Sequence, residues 1–214
     1  MPYRRTDNVA RRLAARHDAI VDAARQIAAE GGLGLVQIAA VAARAGIAAG
    51  TVYRYFPGKT DLIAALLEQI ADSELKALRR AAGGAPGPLS ALAAAITVFA
   101  ARALERRRLI FAALAEPVDA ELDVARLKFR KALAGEFAAR IAAAVAESRL
   151  PEQDASLAAA ALTGLLVEGL IGPLAADVEG REREVVQSLT LTALRAVGVA
   201  DARARGLVVQ TAIP

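Results

Sequence analysis

The 214-residue sequence has no cysteine, no tryptophan, one methionine and one histidine, His17. Without cysteine there is neither a disulfide framework nor a thiolate metal site. A lone histidine excludes a multi-histidine metal centre and a Ser-His-Asp triad. No P-loop, no dinucleotide-binding glycine pattern and no acidic pair at metal-ligand spacing occurs. A helical enzyme is therefore disfavoured, and neither cofactor nor metal is expected. Runs of β-branched or aromatic residues bounded by turns are also missing, which argues against a sheet.

The N-terminus, MPYRRTDNVARRLAARHDAI, has arginines but no apolar stretch behind them, so it does not read as a secretory signal. One run, residues 157–176, has the length of a membrane span, with no comparable second segment. It contains Glu168, Gly164, Gly169, Gly172 and Pro173. A charge at mid-span costs about 2.5–3.5 kcal/mol on insertion scales, so the run reads as a helix buried in a core or a subunit interface. No membrane partner is expected, a structural or membrane-associated helical protein being the weaker alternative. The lack of cysteine suits a cytoplasmic location.

Alanine, leucine and arginine, all strong helix formers, dominate what remains. The expected fold is all-α, with about nine helices over residues 16–30, 37–45, 49–55, 59–82, 88–105, 107–115, 119–147, 155–171 and 180–197. Within 119–147, Phe129, Leu133, Phe137, Ile141 and Val145 recur every fourth residue and mark one helix face. GGAPGP at 83–88 is a loop, Asp154 a helix N-cap, and the tail from Gly198 is weakly periodic and expected to fray. His17 is expected on the surface. Thr97, Thr163 and Glu168 are the polar groups on otherwise apolar stretches, and Glu168 is read as a carboxylate paired with an arginine.

Charge divides the chain. Residues 1–60 carry nine Lys/Arg against four Asp/Glu, and the rest is nearly neutral. A basic end on a neutral body is the electrostatic footprint of a nucleic-acid-binding segment. Inside it, residues 38–59 read IAAVAARAGIAAGTVYRYFPGK. A helix-turn-helix needs a small residue where its helices cross, here Ala42, and a residue tolerant of positive φ in the turn, here Gly46. Val41, Ala45, Ile47 and Val52 supply apolar packing. The second helix then presents Thr51, Tyr53, Arg54 and Tyr55 outward, with Lys59 close behind, groups suited to phosphate oxygens and base edges. Arg4, Arg5, Arg11 and Arg12 form a basic arm that can reach a neighbouring groove or backbone.

The stretches AIVDAA (19–24), AARAGI (42–47) and GTVYRYFPGKTDL (50–62) resemble the DNA-binding region of the TetR/AcrR repressors. The likeness covers roughly residues 16–67. It implies a three-helix DNA-binding domain at 1–58, followed by a larger helical domain at 59–214 that binds an effector and dimerises, with the helix at 59–82 joining the two. It implies phosphate contacts from Tyr53 and Lys59, groove contacts from Thr51, Arg54 and Tyr55, and a core role for Phe56. The chain departs from the family pattern at Ala48, where Ser or Thr usually caps the recognition helix, and at Ala49, Val36-Gln37, Ala28 and Leu33. The expected function is a ligand-responsive repressor that binds a near-palindromic double-stranded DNA operator. The run LAAAALTGLLVEGLIG is too apolar for solvent and rich in small residues, so a homodimer through the helices at 155–171 and 180–197 is expected. The effector is expected to be a small hydrophobic molecule, with Phe111, Phe129, Phe137 and Thr163 as candidate contacts.

Overall fold

The computed structural model describes residues 3–175 and 177–214, with side chains from Asn8 onward. The described residues are helical, connected by turns, in the order α1 (Tyr3–Gly31), a 3-10 turn (Leu33–Leu35), α2 (Ile38–Arg44), α3 (Ala49–Tyr53), α4 (Lys59–Gly83), α5 (Pro88–Glu105), α6 (Arg107–Leu114), α7 (Ala120–Ala146), α8 (Ala155–Leu170), α9 (Glu182–Ala196) and α10 (Asp201–Gln210).

Most helix ends have a visible local cause. Gly32 stops α1 at φ 82°, where a side chain would be strained. Gly58 precedes α4, and the Asp61 carboxylate reaches back to accept its N–H at 2.9 Å, supplying half of a capping box. Pro88 opens α5, where its missing N–H costs nothing. Asp154 caps α8 by accepting from Ser156 N and Leu157 N at 2.8 and 3.1 Å, as its sequence position predicts.

The packing follows the apolar stripes. Ile20, Val21, Ala24, Ile27 and Ala28 of α1 meet Val41, Val52 and Phe56 beneath the two short helices. α4 runs from there along α5 and α7, and α5 lies at the centre, touching α4, α7, α8, α9 and α10. Phe129, Leu133, Phe137 and Ile141 of α7 are all buried, with Ala144 rather than Val145 closing the stripe. Charged clasps back this packing: Glu74 of α4, with only 3% of its side chain exposed, accepts two bonds from Arg102 at 2.6 and 2.8 Å. Glu136 of α7 holds both Arg79 and Arg140.

The structure corrects several sequence expectations. The first helix does not start near residue 16. It runs from Tyr3, so the basic arm is a helical extension; the side chains of Arg4 and Arg5 lie outside the described residues. The tail does not fray, because Ala204 and Leu207 bury α10 against α5 and α9 while Asp201 pairs with Arg195 and Arg205. His17 stays at the surface of α1 as expected, its side chain 45% exposed, with its ring 5.0 Å from that of Phe56. Glu168 pairs with no arginine among the described residues; its carboxylate accepts from Leu174 N at 3.1 Å and closes the turn after α8. The one described helix that is long and apolar enough to cross a membrane is α5, not the 157–176 run, and over half of it is buried inside the bundle.

Candidate DNA-binding interface

The site begins with a turn. After α2 the chain reverses at Gly46, φ 65°, with Gly46 N donating to Ala43 O at 3.2 Å and Ile47 N to Ala42 O at 3.0 Å. These bonds satisfy carbonyls at the end of α2, and the left-handed conformation is what demands glycine there. Ala42 is buried at the crossing, where a larger side chain would force the helices apart. Val52, fully buried, pins α3 from beneath. The opposite side of that short helix therefore faces solvent: Tyr53 is 53% exposed and Arg54 is exposed beside it.

Of the residues singled out in sequence, Thr51 is half-buried on α3, and Lys59 is half-buried at the first position of α4. Tyr55 is not fully outward. It packs against the core and faces α1, forming a shallow groove of about 600 Å³ with Val9, Arg12, Leu13, Arg16 and Ala19. Arg16 was missed in the sequence; its signal is the four-residue spacing from Arg12, which puts both cations on one face of the extended α1. Ala48 has extended backbone, φ −70° and ψ 144°, and its methyl offers α3 no capping acceptor.

The intramolecular pairs determine which cations remain available. Arg44 is bidentate to Glu30 at 2.8 and 2.9 Å, which holds that carboxylate below its ordinary range. Arg25 binds Asp22 at 2.6 Å, and this hydrogen bond lowers the Asp22 carboxyl against the opposing effect of burial. Arg12, Arg16, Arg54 and Lys59 have no acidic partner among the described residues. Unneutralised cations thus gather around α3 and its groove with α1, where a polyanion would meet them.

The four effector candidates do not form one site. Phe129 and Phe137 are buried, Thr163 is buried with its hydroxyl bonded to Ala159 O at 2.8 Å, and Phe111 is half-buried on α6. Only Phe129 reaches a cavity among those described, a cleft of about 230 Å³ between α4 and α7, where it lies with Ala71, Leu75, Glu68, Asp72 and Lys128. The dimer surface expected in sequence has exposed apolar groups on α8 and beyond it, Leu157 at 69% and Leu174 at 83%.

Residues 20–66 match the family of bacterial regulatory proteins called the tetR family. The transcriptional repressor KstR of Mycobacterium tuberculosis is 45% identical over 71 residues, 33% of this chain and 32% of that protein. KstR of Mycolicibacterium smegmatis is 47% identical over 73 residues, 33% and 36% of the two chains. The chain thus matches about a third of the length of these curated relatives. Over nearly the whole chain the fold resembles RolR solved with resorcinol, at 24% identity and TM-score 0.69, covering 96% of this chain and 98% of that one. It also resembles FadR from Bacillus subtilis, solved with stearoyl-CoA, at 20% identity and TM-score 0.70, covering 84% and 96%. The fold class inferred from sequence, all-α with an N-terminal helix-turn-helix, is the one observed, with ten α-helices among the described residues in place of nine. Residues 20–66, which carry the helix-turn-helix, are thus similar to the tetR family of bacterial regulatory proteins, and over the rest of the chain the likeness is one of fold.

Proposed function

We propose that this protein is a repressor that binds a near-palindromic DNA operator as a homodimer and releases it when a small apolar molecule binds the body. The observation that carries the DNA-binding part is the clustering around α3 of Arg12, Arg16, Arg54 and Lys59, which have no acidic partner among the described residues, while Arg25 and Arg44 are neutralised internally. Tyr53 and Lys59 hold phosphates, and Thr51, Arg54 and Tyr55 meet the groove edge, with Arg4 and Arg5 as further DNA contacts. Residues 1–58 form the DNA-binding domain and 59–214 the effector and dimerisation domain, joined through α4. Two copies pair through α8 and α9, since Leu157, Leu165, Leu189 and the small residues between them leave apolar surface that a second copy covers. A DNA partner places the protein in the cytoplasm.

The ligands in the RolR and FadR structures support a small-molecule effector here. The α4–α7 cleft is its entry, with Phe129 at the floor and Glu68, Asp72 and Lys128 as polar handles at the rim; Phe111, Phe137 and Thr163 are reached as the bundle opens. Selection of bound duplexes from random DNA tests this function. Tyr53→Ala and Lys59→Ala then weaken binding across all sequences, and Lys59→Ala lowers the salt slope by about one unit, whereas Arg54→Ala changes sequence preference. Unchanged affinity in all three variants refutes α3 as the reading helix.

A further inference from the structure

Between the N-terminal helices and the body lies a polar contact that the function above does not use. α6 ends where Ala115 N and Glu116 N both donate to Phe111 O, at 2.8 and 2.9 Å. The chain then turns toward α7, and the Glu116 carboxylate points back across the molecule to accept from Leu33 N–H at 3.1 Å. These residues stand 83 apart in sequence. Leu33 is buried at the start of the 3-10 turn that leads into α2, so its N–H would lack a partner without Glu116. Two neighbours shape the contact. Gly32 has no side chain where the carboxylate arrives: a Cβ there would sit 2.7 Å from Glu116 Oε2. Arg126 of α7, only 8% exposed, donates through Nη2 to the Glu116 carbonyl and holds the corner from behind.

We propose that Glu116 is a positioning residue for DNA binding, which ties the turn before α2 to the α6–α7 corner so that the two move as one. The inference rests on the DNA-binding reading above and adds to it a coupling route apart from α4. When the corner shifts, the carboxylate pulls or releases Leu33, and the α2–α3 pair changes its attitude to the body. Arg126 sets where the corner sits, because a buried guanidinium bonded to one carbonyl leaves little freedom for either group.

The test compares wild type, Glu116→Ala, Glu116→Gln and Gly32→Ala, together with the Gly32→Ala, Glu116→Ala double variant, each first checked for native helicity. Amide exchange at Leu33 reads the bond itself; duplex affinity, using DNA selected by the wild type, reads its consequence. In Glu116→Ala, Leu33 exchange rises at least about tenfold and affinity changes at least about threefold. Glu116→Gln retains an acceptor oxygen and recovers most of both. Gly32→Ala, strained at φ 82° in either background, lowers the melting temperature more in the wild-type background than in the Glu116→Ala background, since the three atoms nearest the new Cβ belong to the Glu116 carboxylate. Faster Leu33 exchange with wild-type affinity in Glu116→Ala overturns the positioning role while the function stands. Leu33 protection restored in Glu116→Gln without recovery of affinity also overturns it. A wild type that selects no duplex defeats the function itself, and the positioning role with it.

Discussion

Two substitutions at helix starts probe the same physics in opposite directions. α3 begins at Ala48, which has the extended backbone of an N-cap but no side-chain acceptor. α8 begins at Asp154, whose carboxylate satisfies two first-turn donors. Ala48 and Gly50 are exposed and Thr51 N already donates to Ala48 O, so water and backbone serve the first-turn donors, and Ala48→Ser gains at the lower end of the capping range, about 0.5–1 kcal/mol. Asp154→Ala loses two bonds at once and costs about 1–2 kcal/mol. For a chain of this size 1 kcal/mol shifts the melting temperature by about 2–4 °C. The serine variant is thus expected to melt about 1–4 °C higher and the alanine variant about 2–8 °C lower. Thermal melts followed by circular dichroism measure both, and amide exchange at Val52 and Tyr53 locates the first effect in α3. A serine variant with unchanged melting and unchanged exchange at α3, beside a clear loss in Asp154→Ala, would refute the claim that α3 lacks a cap it can use.

Glu74→Ala leaves Arg102 without its carboxylate in the bundle; because the guanidinium keeps some solvent access, a loss near the lower end of the roughly 3–5 kcal/mol range for broken buried pairs is expected in chemical denaturation. Phe137→Ala empties a fully buried site and is expected to cost about 3–5 kcal/mol by the same measurement. Burial alone would raise the Glu136 carboxyl, but hydrogen bonds from Arg79 and Arg140 outweigh it and hold it below its ordinary range. A depressed carboxyl stabilises the fold above its unfolded value, about 4.3, and that contribution fades as pH falls through the folded value. The melting gap between wild type and Glu136→Gln should therefore be constant from about pH 7 to 5.5 and narrow below about pH 4.5; a gap independent of pH refutes the assignment.

Local chemistry alone determined most of the secondary structure and the location of the reading motif. Gly46 announces a left-handed turn because other residues are strained there, Asp154 announces a cap, and the four-residue recurrence through Phe129, Leu133 and Phe137 announces a buried face. Basic residues in the first sixty positions were also countable in the sequence. What stayed hidden depends on partners far along the chain. Ala204 and Leu207 give α10 too weak a stripe to declare a helix, and only α5 and α9 beneath them supply the burial that stabilises it. Tyr55 looks solvent-facing until α1 is set against it. The arginines near α3 were equivalent in composition, and folding separated those neutralised by Glu30 and Asp22 from those without an acidic partner among the described residues. Glu116 carries no motif at all. Its meaning arises when the fold sets its carboxylate against the bare backbone of Gly32 and the N–H of Leu33, because a hydrogen bond depends on distance in space and not on separation along the chain.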